Sequence, residues 1–264
     1  MSISVRDLSF AYKKAPVLSD VCFDAGSGEL LAILGPNGVG KTTLFRCILG
    51  EQKRYAGTIL IDGQDIRAFS ARETAHRIAY IPQTHAMTFR FPVRDTVLMG
   101  TSHMLSPLAS PGRAQERIAL DALEKLGIAD LSDRSFDTLS GGEQQLVYVA
   151  RALAQQAKIL LMDEPTSSLD YGNQLRVLSV VRELADEGYT VLLSTHNPQH
   201  AVWYADRVLA LKEGRVAAFG PVRETITPSL LGTLYGTRTE LFDTPGGSVI
   251  LPAHTINNGK GEQR

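Results

Sequence analysis

The stretch with the clearest chemistry is Gly35-Pro36-Asn37-Gly38-Val39-Gly40-Lys41-Thr42, which fits the spacing G-x-x-x-x-G-K-[ST]. It stands between an apolar run, Leu30–Leu34, and a helical pattern over Thr43–Leu49, the context such a loop requires. Its glycines let successive backbone N–H groups turn inward with no Cβ in the way, so loop and helix N-terminus form a positive cradle for phosphate oxygens. Lys41 can then bridge β- and γ-phosphates, and the Thr42 hydroxyl can ligate Mg2+. A second apolar run, Ile159–Met162, ends in two adjacent carboxylates: Asp163 would hold Mg2+ through water and Glu164 would face an attacking water. Two acids at a strand end read as a solvated edge just as well when alone; beside a phosphate loop the catalytic reading wins. The turn Leu139-Ser140-Gly141-Gly142-Glu143-Gln144-Gln145 opens a helix, so it is either another anion site or a plain N-cap. A third apolar run, Val191–Leu193, ends in Ser194-Thr195-His196.

The elements that must position these residues follow from periodicity. Residues 3–10 and 58–62 alternate apolar and polar, with a turn signal at Asp62-Gly63, and predict antiparallel β structure. The three apolar runs predict buried parallel strands. Helical patterns over 114–126, with Ile118, Ala122, Leu123 and Leu126 on one face, 144–156 and 173–186 fill the intervals. Strands alternating with helices imply a doubly wound α/β core whose ligands sit beyond the carboxyl ends of the strands. Residues 84–143 depart from that rhythm and read as an inserted helical lobe, with a break at 105–112. Val208–Leu211, Lys212-Glu213-Gly214 and Val216–Phe219 predict a hairpin, then a short helix from Thr227-Pro228 and a polar tail from His254.

Composition removes several classes. Lys+Arg 27 against Asp+Glu 28 leaves a charge of -1, so nothing global draws this chain to nucleic acid. Apolar runs such as Leu30–Leu34 are far shorter than the roughly 20 residues of a spanning helix. Met1–Asp7 alternates like a strand and lacks the apolar stretch of a signal peptide, which predicts a cytoplasmic chain. Cys22 and Cys47, without CxxC spacing, read as small apolar side chains.

Taken together, the phosphate loop, Gln83, Leu139–Gln145, Asp163-Glu164, Ser167-Ser168-Leu169-Asp170 and His196 make roughly residues 1–240 resemble the ATP-binding subunit of an ABC transporter. The resemblance implies a P-loop NTPase core of the ABC ATPase type with an antiparallel β subdomain (1–83 and 144–220) and an inserted helical subdomain (about 84–143), followed by a C-terminal helix and polar tail over 221–264. It implies a head-to-tail homodimer in which each ATP lies between one subunit's Gly35, Pro36, Asn37, Gly38, Val39, Gly40, Lys41, Thr42 and Thr43 and the other's Ser140, Gly141 and Gly142. By the same resemblance Tyr12 stacks on adenine, Gln83 contacts Mg2+ and the hydrolytic water, Asp170 organises the dimer seam, and His196 contacts the γ-phosphate. The catalytic set is then Glu164, His196, Gln83 and Lys41, and the metal set Thr42, Gln83 and Asp163. His76, His85, His103, His200 and His254 match no motif position. Leu146 stands where the family often has Arg, and Ser168 where it often has Ala.

No membrane helices and no coiled-coil or zinc insertion are seen, so a separate multi-span permease is the expected partner. Residues 89–100, from Phe89 to Gly100, resemble the region of importer ATPases that receives a permease helix, while packing in the lobe core is the other reading of its apolar residues, which can do both; if the segment receives that helix, a Glu at Val97 or Met99 is expected to cost coupling. Asp95–Gly100, Asp170–Gln174 and His196–His200 are similar to the importers of iron chelates, haem, cobalamin or molybdate. That subgroup implies work at the cytoplasmic face of the inner membrane, with a periplasmic or lipoprotein solute-binding protein beyond the permease. A soluble ABC ATPase of cluster assembly or ribosome work is the alternative.

Overall fold

The computed structural model describes residues 1–83, 90–106, 108–244 and 247–253. His85, Phe89 and the tail from His254 lie outside the described residues.

Alternation in the first 25 residues closes a hairpin: β1 (Ile3–Tyr12) pairs antiparallel with β2 (Ala15–Ala25), burying Ile3, Val5, Leu8, Val21 and Phe23 on one face. β3 (Leu30–Leu34) leads through the glycine-rich loop into α1 (Lys41–Ile48). β4 (Ala56–Ile61) and β5 (Gln64–Asp65) complete a four-stranded sheet in the order β2-β1-β4-β5. A capping box of Ser70 and Glu73 starts α2 (Ala71–Arg77), which runs into β6 (Ile78–Ile81).

The lobe holds α3 (Val93–Leu98), a 3-10 segment (Met99–Met104) and α4 (Arg113–Lys125), all packed on α5 (Gly141–Ala154). The chain then alternates through β7 (Ile159–Asp163), α6 (Tyr171–Asp186), β8 (Thr190–Thr195), α7 (Pro198–Tyr204) and β9 (Arg207–Lys212). It finishes with β10 (Arg215–Pro221), α8 (Val222–Thr225), α9 (Pro228–Tyr235), β11 (Thr239–Thr244) and β12 (Gly247–Pro252).

The main sheet has the order β10-β9-β3-β8-β7-β6, parallel except for β10. Every residue of β3, β7 and β8 is buried, which is why these strands read as continuous apolar runs. Successive side chains point to opposite faces: Ile159 and Leu161 join the core beneath α1 and the antiparallel sheet, while Leu160 and Met162 join that of α5, α6 and the lobe. A third core lies under α7, α8 and α9.

Element types match expectation closely and boundaries less so. α5 begins at Gly141, three residues before the expected 144, because Ser140 caps it and two glycines hid its first turn. Helices expected over 114–126 and 173–186 span Arg113–Lys125 and Tyr171–Asp186. Leu146 is buried in the lobe core. Cys47 behaves as the expected apolar side chain, burial pushing its thiol up to about 12.

One expectation is corrected: β11 and β12 form a hairpin where only a short helix and a tail were foreseen. Leu241 and Ile250 pack it on the third core. The Gln199 amide of α7 fastens it as well, donating from Nε2 to the Ser248 carbonyl at 3.0 Å and accepting on Oε1 from the Ile250 N–H at 2.8 Å.

Candidate active site

Parallel pairing sets β3, β8 and β7 side by side, so the residues that follow their carboxyl ends converge. The loop after β3 ends at Gly40, whose φ of 111° is a left-handed conformation favouring glycine, and where an added Cβ would lie 2.9 Å from Leu18 Cδ2. This geometry closes the loop onto α1 and places Lys41 and Thr42 in its first turn. Asn37 and Gly38 are exposed at the loop tip, Val39 is buried, and Thr43 is half-buried.

Lys41 is 5% exposed, and its Nζ donates to the Gly35 carbonyl at 2.8 Å and the Pro36 carbonyl at 3.2 Å, with Glu164 Oε1 at 3.1 Å. The other Glu164 oxygen, Oε2, accepts from Gln83 Nε2 at 3.3 Å and from His196 Nδ1 at 2.9 Å. Asp163 is equally engaged: Oδ2 accepts from Thr42 Oγ1 at 2.6 Å and from the Tyr80 hydroxyl at 3.3 Å, and Oδ1 from Ser194 Oγ at 2.6 Å. Burial, then the Asp163 charge, pushes the Tyr80 phenol up, so it stays protonated and donates. Glu164 has φ 46°, a left-handed conformation that costs a non-glycine residue on the order of 1–3 kcal/mol and recurs at functional sites.

The donor set fits Mg2+. Thr42 Oγ1 and Asp163 Oδ2 are hard oxygen atoms in direct contact, and the Gln83 amide lies against the neighbouring carboxylate. One carboxylate and one hydroxyl leave most positions to water and phosphate, as this ion prefers.

The remaining sequence candidates sit elsewhere. Ser140 caps α5 in a capping box, its Oγ donating to Glu143 Oε2 at 2.8 Å. Asp170 caps α6, accepting from the Asn173 N–H at 2.9 Å and from Asn173 Nδ2 at 2.8 Å. A Cβ on Gly142 would meet Asn173 Oδ1 at 2.2 Å, so the close approach of α5 to α6 demands this glycine. Gly141 faces Leu169. Tyr12, 39% exposed, stacks edge-on against Phe10 and hydrogen-bonds Arg46 of α1, which raises the pKa of that guanidinium.

Three residues at or beside this centre had no assigned role. Tyr80 and Ser194 touch Asp163 directly, while the buried Tyr235 hydroxyl of α9 has no hydrogen-bond partner among the described residues and feels the Glu164 charge. Only Ser194 carried a signal, its place in the Ser-Thr-His end of an apolar strand.

Comparison with known proteins places this geometry in context. The profile of the ABC transporter family matches residues 18–167. An ABC transporter ATP-binding protein of Haemophilus influenzae is 39% identical over 92% of each chain. A hemin import ATP-binding protein of Rhodococcus jostii is 38% identical over 90% of this chain and 81% of its own. A solved structure described as a metal-chelate type ABC transporter in an inward-facing conformation superposes with a TM-score of 0.85 at 32% identity, covering 97% of this chain and 98% of the other.

Proposed function

This chain belongs to the ABC transporter family as an ATP-binding protein, and from that premise we propose that two copies close around two ATP molecules to drive uptake of a chelated metal, haem, cobalamin or an oxyanion such as molybdate through a separate permease. It is an ATPase whose hydrolysis is coupled to transport. The observation that carries the catalytic part is the Glu164 carboxylate, buried between Lys41 at 3.1 Å and His196 at 2.9 Å.

Lys41 spends its three N–H donors on two carbonyls and Glu164. An arriving γ-phosphate competes for that ammonium, and as Lys41 turns to it Glu164 loses its strongest partner. The freed carboxylate accepts a proton from water while the water oxygen bonds to phosphorus and the bond to the bridging oxygen of ADP breaks, so ADP and phosphate leave. Gln83 and His196 both contact Glu164, which supports the reading that they hold the water and the γ-phosphate. Thr42, Asp163 and Gln83 would hold Mg2+, which when bound would neutralise charge at the phosphates. Tyr12, beside α1, offers its ring to adenine.

Ser140, Gly141 and Asp170 are exposed at the ends of α5 and α6. A second subunit's phosphate loop would complete the anion site that Ser140, Gly141 and Gly142 begin, with Asp170 at the seam. The helical lobe presents Phe91, 36% exposed, and Met99, 40% exposed, toward a permease. Among the described residues no helix is long and apolar enough to cross a membrane, in keeping with a peripheral subunit at the cytoplasmic face of the membrane, served beyond the permease by a solute-binding protein. The hemin and metal-chelate relatives support the cargo class.

Mixing Lys41→Ala with Ser140→Ala tests the shared site. Each heterodimer then has one doubly damaged and one intact site, so activity partly returns once cross-linking shows that the mixed dimer forms. Full activity of either variant as a monomer refutes the composite site. A chain that sediments without any membrane protein supports the soluble, non-transport alternative instead.

A further inference from the structure

The two carboxylates at the tip of β7 have different immediate partners, yet one side chain touches both residues. In the parallel register of β7 and β8, Ser194 lies opposite Asp163, and it is fully buried. Its hydroxyl donates to Asp163 Oδ1 at 2.6 Å and accepts from the Glu164 N–H at 2.9 Å. A hydroxyl has one proton, and here Asp163 receives it, leaving a lone pair aimed at the Glu164 amide. That amide belongs to a residue at φ 46°, in the left-handed region where a Cβ crowds the backbone and where the conformation persists only if its surroundings enforce it.

Resting on the reading of Glu164 as the base, we propose that Ser194 is a positioning residue for hydrolysis, aiming both carboxylates by holding the Asp163 side chain and the left-handed turn of Glu164 at once. The turn directs the Glu164 side chain back to Lys41, Gln83 and His196; without an acceptor its N–H is buried and unsatisfied, and the turn relaxes. Asp163 loses its only partner on Oδ1 among the described residues and keeps Thr42 and Tyr80 on Oδ2. The nucleotide cradle itself, built by residues 35–42, is untouched. The hydroxyl therefore acts on turnover and not on ATP affinity.

The test compares Ser194→Thr with Ser194→Val, which add the same volume and differ only in the hydroxyl, together with the smaller pair Ser194→Cys and Ser194→Ala. Steady-state ATPase gives kcat and KM, and binding of a fluorescent ATP analogue gives affinity independently of turnover. The Val variant should lose at least about tenfold in kcat relative to Thr, with KM and analogue affinity within about threefold. The Ala variant should fall below Cys in the same way, so the result stands even where the added methyl group is not tolerated. Equal kcat within both pairs overturns the proposal, as does a loss of affinity that accounts for the whole effect. Glu164→Gln, assayed in parallel, separates the two readings: a Gln variant that still turns over refutes the base, whereas an inactive Gln variant beside equal hydroxyl and non-hydroxyl variants refutes only the role of Ser194.

Discussion

The loop at 35–42 and the turn at 139–142 are both glycine-rich helix entries, yet their polar groups point in opposite ways. Around the first, Lys41, Asp163, Glu164 and Ser194 are all buried and all bonded to one another or to the loop. Around the second, Ser140 and Gly141 are exposed and, among the described residues, the Ser140 hydroxyl bonds only to Glu143, while the Asp170 carboxylate bonds to Asn173 three residues on. An inward network fixes geometry within one chain; an outward turn held by its own cap is a preformed surface awaiting something else. In the proposed dimer the inward network is the catalytic half, and the outward turn is the half offered to a neighbour.

Glu164→Gln strikes the inward side hardest. It keeps the shape and removes the base, so phosphate release should fall by about 10²–10⁴-fold while ATP binding persists and an ATP-bound dimer accumulates on size exclusion. Turnover at half the parent rate would remove Glu164 from the mechanism.

Gly142→Ala asks whether the outward turn needs its glycine for packing or for phosphate. The added methyl group collides with Asn173, an overpacking that costs about 1–3 kcal/mol, and activity should fall at least about tenfold. Adding Asn173→Gly relieves the collision. Recovered stability without recovered ATPase places Gly142 at the phosphate, whereas recovery of both makes it a packing residue only.

The same inward and outward contrast divides the two readings of the lobe segment between its residues. Val97 is fully buried in the lobe core, so Val97→Glu should unfold the lobe, at a cost of at least about 2 kcal/mol visible as a lowered Tm. Met99 is the informative position. Met99→Glu should leave ATPase of the isolated subunit within about twofold, as exposed substitutions do, and abolish transport when reconstituted with its membrane partner in vesicles. Undiminished transport would take Met99 out of the permease contact.

The smallest effect concerns acid stability. Burial, then the His196 charge, lowers the pKa of His200, whose Nδ1 has no partner among the described residues. The unfolded chain binds this proton near the ordinary value of 6.5 and the folded chain resists it, so stability falls as pH drops below about 6.5. His103, lowered chiefly by burial, acts with the same sign. Thermal unfolding at pH 7, 6 and 5 should show Tm falling, and His200→Gln should flatten that slope by a few degrees. An unchanged slope would exclude His200 as a contributor.

Local chemistry was the legible part of this chain. Gly35–Thr42 and Asp163-Glu164 declare themselves because glycine spacing and strand-end acids are properties of adjacent residues. Ser194 was invisible as a partner of Asp163 because that contact is created by the β7–β8 register, which no short window encodes. Asn173 hid for the same reason, its fit against Gly142 depending on how α5 meets α6. Val97 and Met99 look alike in an apolar stretch, and only the packing of α3 on α4 and α5 tells core from surface. The hairpin over 239–252 escaped because its alternation is weak and its outer residues, Phe242 and Leu251, are exposed apolar side chains.

The Gln199 fastening carries a thermodynamic obligation. α7 starts two residues after His196, and its Gln199 amide serves β12 as a neighbouring strand would. To whatever extent the hairpin's docking and the position of His196 are coupled, the coupling free energy is one quantity read from either end. Nucleotide that steadies His196 must steady the hairpin by the same amount, and anything that peels the hairpin away must weaken nucleotide binding equally. With such coupling, the last strand among the described residues would be a thermodynamic partner of the loop at 35–42, some two hundred residues upstream.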